Sequence, residues 1–220
     1  MKMKKVNYNE ISSKYDNRYN EDQWSNIKEK LLETISLNEY NNILEVGCGT
    51  GYWLNAIKAL NVNCFGLDYS IGMLKEAKSK KRCGNLINGD ANALPFKNNK
   101  FDFIFCMNAL HHFSDSKQFI FDVREFLSAN GSLAIIGLDP RCKEDEWYIY
   151  DFFESTYEDD LKRFPSWEET EEWMRTAGFK NVSSIILDRI IKDKIGKEGA
   201  SNIKKEASLG FPLRQREALP

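Results

Sequence analysis

Short, nearly continuous apolar runs recur along this chain, and between them lie longer stretches whose apolar residues return every three or four positions. Asn42–Val46, 62–68, 85–91, Phe101–Met107 and 132–139 are the runs, each brief and bounded by turn residues, as strands buried on both faces are. The periodic stretches carry Trp24, Ile27, Leu31 and Ile35; Leu54, Ile57 and Leu60 over 52–60; Met73, Leu74 and Ala77 over 72–81; and Phe119, Ile120, Val123, Phe126 and Leu127 over 114–129. Each reads as a helix with one apolar face, the last stopped by Gly131. Ser166-Trp167-Glu168-Glu169 reads as a capping box opening a helix that ends at Gly178, and 181–191 reads as a sixth strand. Five alternations of strand and helix predict an α/β, Rossmann-like, doubly wound and mostly parallel sheet with helices on both faces. Its binding crevice lies at the carboxyl ends of the strands.

The pattern divides one domain into parts. Residues 1–38 form a polar arm with Tyr8, Tyr15 and Tyr19, followed by an amphipathic helix; 40–191 form the core; 192–220 are polar and basic with no convincing alternation, so an expected seventh strand is left open. Within the core, 141–165 interrupt the alternation with seven aromatics and eight acids against four bases. Inserted at the carboxyl end of the fifth strand, that segment reads as a lid that selects the substrate.

At 220 residues and 42% hydrophobic content one full core is affordable. A net charge of −2 offers no basic surplus for nucleic acid, which points to a small-molecule substrate; a monomer or homodimer is expected. Cys48, Cys64, Cys83, Cys106 and Cys142 form no C-x-x-C pair, which suggests reduced, cytoplasmic thiols and no metal site. Met1 to Lys5 has the charge of a signal-peptide start, but the polar residues after it supply no apolar core, and no run reaches the length of a membrane span.

The chemistry concentrates after the first strand. Ile43-Leu44-Glu45-Val46-Gly47-Cys48-Gly49-Thr50-Gly51 takes an apolar run past a carboxylate into three glycines spaced by one residue, a turn that presents backbone N–H groups to a ligand at a helix start. A dinucleotide fingerprint would need its third glycine at Tyr52, where close helix–strand packing admits no bulk. Asp68, 21 positions beyond Gly47, ends the second strand where a carboxylate can accept both ribose hydroxyls of a nucleoside, whichever cofactor carries it; as an alternative it caps the following helix.

The G-x-G-x-G turn, Gly89-Asp90-Ala91 with Leu94-Pro95-Phe96, and the Phe101-Asp102 start and Leu110-His111-His112-Phe113 end of the fourth strand together resemble the class I S-adenosylmethionine-dependent methyltransferases. Within that family they resemble the methyltransferase type 11, ubiquinone/menaquinone-like branch. The resemblance covers roughly 40–190 and implies S-adenosylmethionine as methyl donor, S-adenosylhomocysteine as product, and an O, N or C nucleophile of a small molecule as acceptor. It implies a cofactor site of Glu45, Gly47, Cys48, Gly49, Gly51, Asp68, Tyr69, Met73, Asp90, Ala91 and Asn108. In such a site Asp90 accepts from the adenine amino group, the next N–H meets a ring nitrogen, and Met73 touches the adenine face. An arm folded over the cofactor makes Tyr15 and Arg18 candidates to close on the methionine carboxylate; aromatic anchoring is the other role open to it. His112 and His111, the two histidines of the chain, stand at the strand end from which an acceptor proton is taken, unless they simply hold the loop. The alternatives are a cofactor-binding partner protein without turnover and an NAD-dependent dehydrogenase, the latter disfavoured by Tyr52 and Gly89-Asp90.

Overall fold

A computed structural model describes residues 7–19, 24–82, 84–142, 150 and 154–187. Its frame is one sheet of five parallel strands: β1 (Asn42–Val46), β2 (Asn63–Asp68), β3 (Asn85–Asn88), β4 (Phe101–Met107) and β5 (Leu127–Ile136), in the order β3-β2-β1-β4-β5. Sequence reversal occurs beside β1, so the carboxyl ends of β1 and β4 border the crevice of the α/β rule. The central strands are the most apolar because both their faces are covered: β1 is buried after Asn42 and β4 everywhere but Asp102. Asp102 Oδ2 accepts from the Asn41 and Asn42 amides at 3.1 and 2.9 Å, pinning the two strand starts together.

The helices are α1 (Tyr8–Ile11), α2 (Ser25–Leu37), α3 (Tyr52–Ala56), α4 (Ile71–Ser79), α5 (Ser116–Phe126), α6 (Glu154–Arg163) and α7 (Trp167–Thr176), with 3-10 turns at Ser12–Arg18, Ile57–Leu60 and Leu110–His112. One face of the sheet packs Ile43, Phe103 and Phe105 against Leu31 and Ile35 of α2 and Trp53 and Leu54 of α3. The other packs Leu44, Val46, Ile104 and Cys106 against Phe119, Ile120 and Val123 of α5, with Trp173 and Met174 of α7 behind. Burying a side chain such as Phe119 or Leu54 stabilises the fold by about 1.5–3 kcal/mol each. The helix starts are chemically marked. Ser70 accepts from the Met73 amide, Asp115 from the Gln118 amide, and Ser166 with Glu169 forms the expected capping box.

Several boundaries differ from the sequence pattern, β5 ending at Ile136 instead of 139 among them. α5 stops at Phe126 instead of near Ala129, because Leu127 turns extended (φ −80°, ψ 141°) to bury itself beside Phe101 in the sheet. The paired register then jumps from Leu127 to Ser132, so 128–131 bulge out and regular pairing resumes where the apolar run begins. β3 ends at Asn88, which leaves Gly89, Asp90 and Ala91 in the turn beyond it. Residues 182–187 form no strand: Ile185 and Ile186 are exposed at 61% and 66%, and the alternation has no neighbouring strand to pair with among the described residues. The remainder of that proposed strand, the tail 192–220 and much of 141–165 lie outside the described residues.

Candidate active site at the strand carboxyl ends

The glycine turn wraps around one carbonyl. Gly47 and Cys48 both donate their amides to Leu67 O, at 2.8 and 3.0 Å, and Gly51 N closes on Cys48 O at 2.8 Å. Gly47 (φ +77°) lies so close to the β4 loop that a Cβ on it would come within 2.3 Å of the Ala109 methyl. Gly49 (φ +53°) faces Tyr15, whose Cε1 would be 3.8 Å from such a Cβ. The left-handed backbone favours glycine at both positions, and close approach demands it at Gly47. The turn is tied to the end of β2, since Asp68 Oδ2 accepts from the Gly49 amide and Oδ1 from the Ser70 amide, both at 2.7 Å.

Below the turn, Glu45 is 1% exposed, and its Oε2 has no hydrogen-bond partner. Burial first, and the Asp68 carboxylate second, hold its pKa well above the ordinary carboxylate range, against the pull of the Leu54 amide. Asp68 is also raised by burial, with the Ser70 and Gly49 amides opposing the shift. Cys48 is buried, and its thiol pKa is pushed up by burial and then by Glu45 and Asp68, so it packs the turn as an un-ionised group. Glu45 thus lies un-ionised beneath the turn, while the half-buried Asp68 keeps lone pairs that can accept hydrogen bonds from a nucleoside-bearing ligand.

The other sequence-nominated residues surround this centre at different depths. Tyr69 is 76% exposed at the mouth, whereas Met73 is 1% exposed and packed inside the start of α4. Asp90 is exposed, with Oδ1 accepting from the Asn92 amide at 2.9 Å; Ala91 beside it is buried. Asn108, left-handed at φ +48°, donates its amide to Ile136 O at 2.8 Å and ends β4 against β5. Tyr15 reaches the glycine turn; Arg18 ends the arm's 3-10 turn, and its side chain lies outside the described residues.

Sequence reasoning missed the residues that seat the arm. Asn9 Oδ1 accepts from Ser70 Oγ and the Gly72 amide at 2.9 and 2.7 Å. Asp16 pairs with Lys80 and Arg82 at 2.7 and 2.6 Å and accepts from Thr50 Oγ1. Arg82 in turn donates to Thr50 O and Oγ1, both at 2.8 Å. Burial raises the Asp16 pKa, but the Lys80, Thr50 and Arg82 hydrogen bonds outweigh it and hold the carboxyl below 3.8. The arm's polar composition carried no periodic signal that would have nominated Asn9 or Asp16.

Beside the turn, the ends of β4 and β5 open into a largely apolar pocket lined by Leu110, His111, Ile135, Leu138, Phe164 and Trp167, with Asn108 and Thr170 as polar groups. Phe164 stacks on His111 at 3.8 Å and 20°. It is held there by Arg141, which pairs with buried Asp139 at 3.0 Å and donates to the Phe164 and Leu161 carbonyls. Of the described part of the 141–165 insertion, Phe164 and Pro165 line the pocket, and Arg141 ties this end of the segment to Asp139.

A family model described as a methyltransferase domain matches residues 44–135, from β1 through the regular part of β5. An uncharacterized protein of Methanocaldococcus jannaschii is 30% identical over 178 residues, covering 74% of this chain and 76% of that one. The chain belongs to the class I methyltransferases. It is 31% identical over 182 residues to the chloroplastic 2-methyl-6-phytyl-1,4-hydroquinone methyltransferase of Spinacia oleracea, matching 80% of its own length and 50% of that relative's. This methyltransferase thus spans about half the length of that plant relative. Its fold is shared with a SAM-dependent methyltransferase of Thermotoga maritima, at TM-score 0.60 and 24% identity over 79% of this chain and 80% of that one. Among the described residues, no helix is long and apolar enough to cross a membrane.

Proposed function

We propose that this methyltransferase moves a methyl group from S-adenosylmethionine to a hydroxyl of a flat, aromatic small molecule of the hydroquinone kind, in the cytoplasm. The observation that carries the acceptor class is the His111–Phe164 ring pair on the rim of a small, largely apolar pocket beside the glycine turn, an aromatic surface against which a planar ring can pack. The relative named as a hydroquinone methyltransferase supports the same class. The free, buried thiols Cys48 and Cys106 support a reducing compartment.

The cradle fits the donor on two grounds: the unpartnered, buried Glu45 Oε2 beneath the turn, and glycines at positive φ where a side chain would fill the approach. The Asp68 carboxylate and the Asp90 turn would hold the ribose and adenine ends, with Tyr15 closing from above. When bound, the sulfonium supplies an electrophilic methyl whose transfer needs alignment and exclusion of water more than elaborate acid–base machinery. The pocket residues hold the acceptor ring edge toward the turn, and Phe164 and the arm exclude water. His112 would take the hydroxyl proton as the methyl passes from sulfur to oxygen, so that the products would be a methyl ether and S-adenosylhomocysteine, with the proton held on the imidazolium.

The test is transfer of labelled methyl to a panel of reduced quinones and simple phenols. Phe164→Ala should raise the apparent acceptor constant and leave the S-adenosylmethionine constant within about threefold, while His112→Asn should lower kcat by about a hundredfold. Binding of S-adenosylhomocysteine without transfer to any aromatic hydroxyl would remove the acceptor assignment; absence of that binding would remove the donor.

A further inference from the structure

The two segments that cover the strand ends meet at the histidine pair. From the arm, Tyr8 places its hydroxyl 2.7 Å from His112 Nε2, with the rings edge-on at 5.2 Å and 69°. From the insertion, Phe164 stacks on His111, which lies 3.9 Å from His112. Tyr15, edge-on to Tyr8 at 6.0 Å, continues the run of rings back to Gly49. A line of side-chain rings therefore joins the cofactor turn to the pocket wall, and His112 sits in its middle.

The arm that brings Tyr8 to His112 is seated by groups on the cofactor side. Asn9, the next residue, receives the Gly72 amide and the Ser70 hydroxyl at the start of α4, and the Ser70 amide is one of the two that Asp68 binds. Asp16 fastens the other end to Thr50 in the glycine turn itself. Anything that shifts this turn or Asp68 shifts the seat of the arm, and with it the phenol.

Resting on the reading of His112 as the proton acceptor, we propose that Tyr8 is a positioning residue for His112, and that the arm ties the orientation of this imidazole to occupancy of the cofactor cradle. A hydroxyl both donates and accepts. The phenol oxygen accepts from Nε2–H of the neutral ring, which leaves the lone pair on Nδ1 to take the acceptor's proton, and it goes on accepting that bond once the ring is charged. Nδ1 is thereby selected as the basic nitrogen, and the ring keeps one orientation through both charge states. An arm loosened from an empty cradle would leave the imidazole free to turn; an arm closed over the cofactor holds it ready.

The experiment is nitrogen NMR of the imidazole rings in the full chain, which has two histidines, so that His111→Asn assigns both. On addition of S-adenosylhomocysteine the His112 resonances should move toward a single tautomer. In Tyr8→Phe, which keeps the ring and removes the hydroxyl, they should start elsewhere and lose most of that displacement, while calorimetric affinity for S-adenosylhomocysteine stays within about threefold. Asn9→Ala keeps the phenol but removes the seat on α4, and should reduce the displacement as well. His112 resonances indifferent to S-adenosylhomocysteine, or displaced equally in Tyr8→Phe, overturn the proposal. These measurements need no acceptor; full methyl transfer by His112→Asn in the separate transfer assay would overturn the assignment of the base and leave the Tyr8 coupling to the resonances.

Discussion

Asp68 and Gly49 are joined by a 2.7 Å hydrogen bond from the glycine amide to the carboxylate, which makes the end of β2 and the turn after β1 a single unit. The acid that would bind a ribose is also the brace of the backbone that would bind the rest of the cofactor. Its carboxylate oxygens have lone pairs beyond the two amides they receive, so bracing and ligand binding are compatible.

Asp68→Ala removes both roles. Affinity for S-adenosylhomocysteine should fall by about 1.5–3 kcal/mol, the order for hydrogen bonds to a charged group. Titration calorimetry on the folded variant checks this, and unchanged affinity would take Asp68 out of the site.

Gly47→Ala should destabilise the protein even without ligand. The left-handed backbone costs about 1–2 kcal/mol for a residue with a Cβ, and the new methyl would meet that of Ala109, which has no rotamer to escape into. Overpacking of this kind adds about 1–3 kcal/mol. A urea midpoint equal to that of the parent protein would mean that the turn is looser than its contacts imply.

Glu45 sets a pH dependence of definite sign. In the unfolded chain it ionises around its ordinary value of 4.5, whereas burial, with the Asp68 charge added, keeps it protonated to higher pH in the fold. Over that window the folded state binds the extra proton, so stability falls as pH rises above 4.5 toward the folded value. Asp68 contributes in the same sense from 3.8 upward. Glu45→Gln, neutral and of equal shape, should flatten the fall; parallel urea-midpoint profiles for the two proteins would sink the assignment.

Asp16 works in the opposite sense. Its pKa is held below 3.8, so its contribution is present above that value and disappears as pH falls through the folded one. With 15% of the side chain exposed, its ion pairs with Lys80 and Arg82 are better shielded than surface pairs. Asp16→Asn should loosen the arm by about 1–2 kcal/mol, roughly five- to thirtyfold in amide exchange over 7–19 at neutral pH. Below the folded pKa of Asp16 the two proteins should converge, and equal exchange at neutral pH would show that the arm is held by its aromatic contacts alone.

Local chemistry made much of this protein legible before any coordinates. Five apolar runs, three glycines spaced by one residue after Val46, a carboxylate at Asp68 and the Ser166–Glu169 box are patterns that backbone sterics, strand burial and helix capping dictate within a few residues. The sheet, its helices and the glycine turn stand where those patterns put them. What the pattern could not decide was set by contacts between distant residues. Leu127 leaves its helix because Phe101 offers it a buried place in the sheet, and 182–187 carry a strand's composition without a strand's partner. Within the site, Glu45 reads as an ordinary acid until Asp68 and the apolar face of α3 surround it. Tyr8, Asn9 and Asp16 read as an undistinguished polar arm until the fold lays them on His112, Ser70 and Thr50. Periodicity reports which face of an element is buried; it holds no information on which residue, 104 positions away, a phenol will meet. That is settled only when the sheet closes and the arm finds its seat.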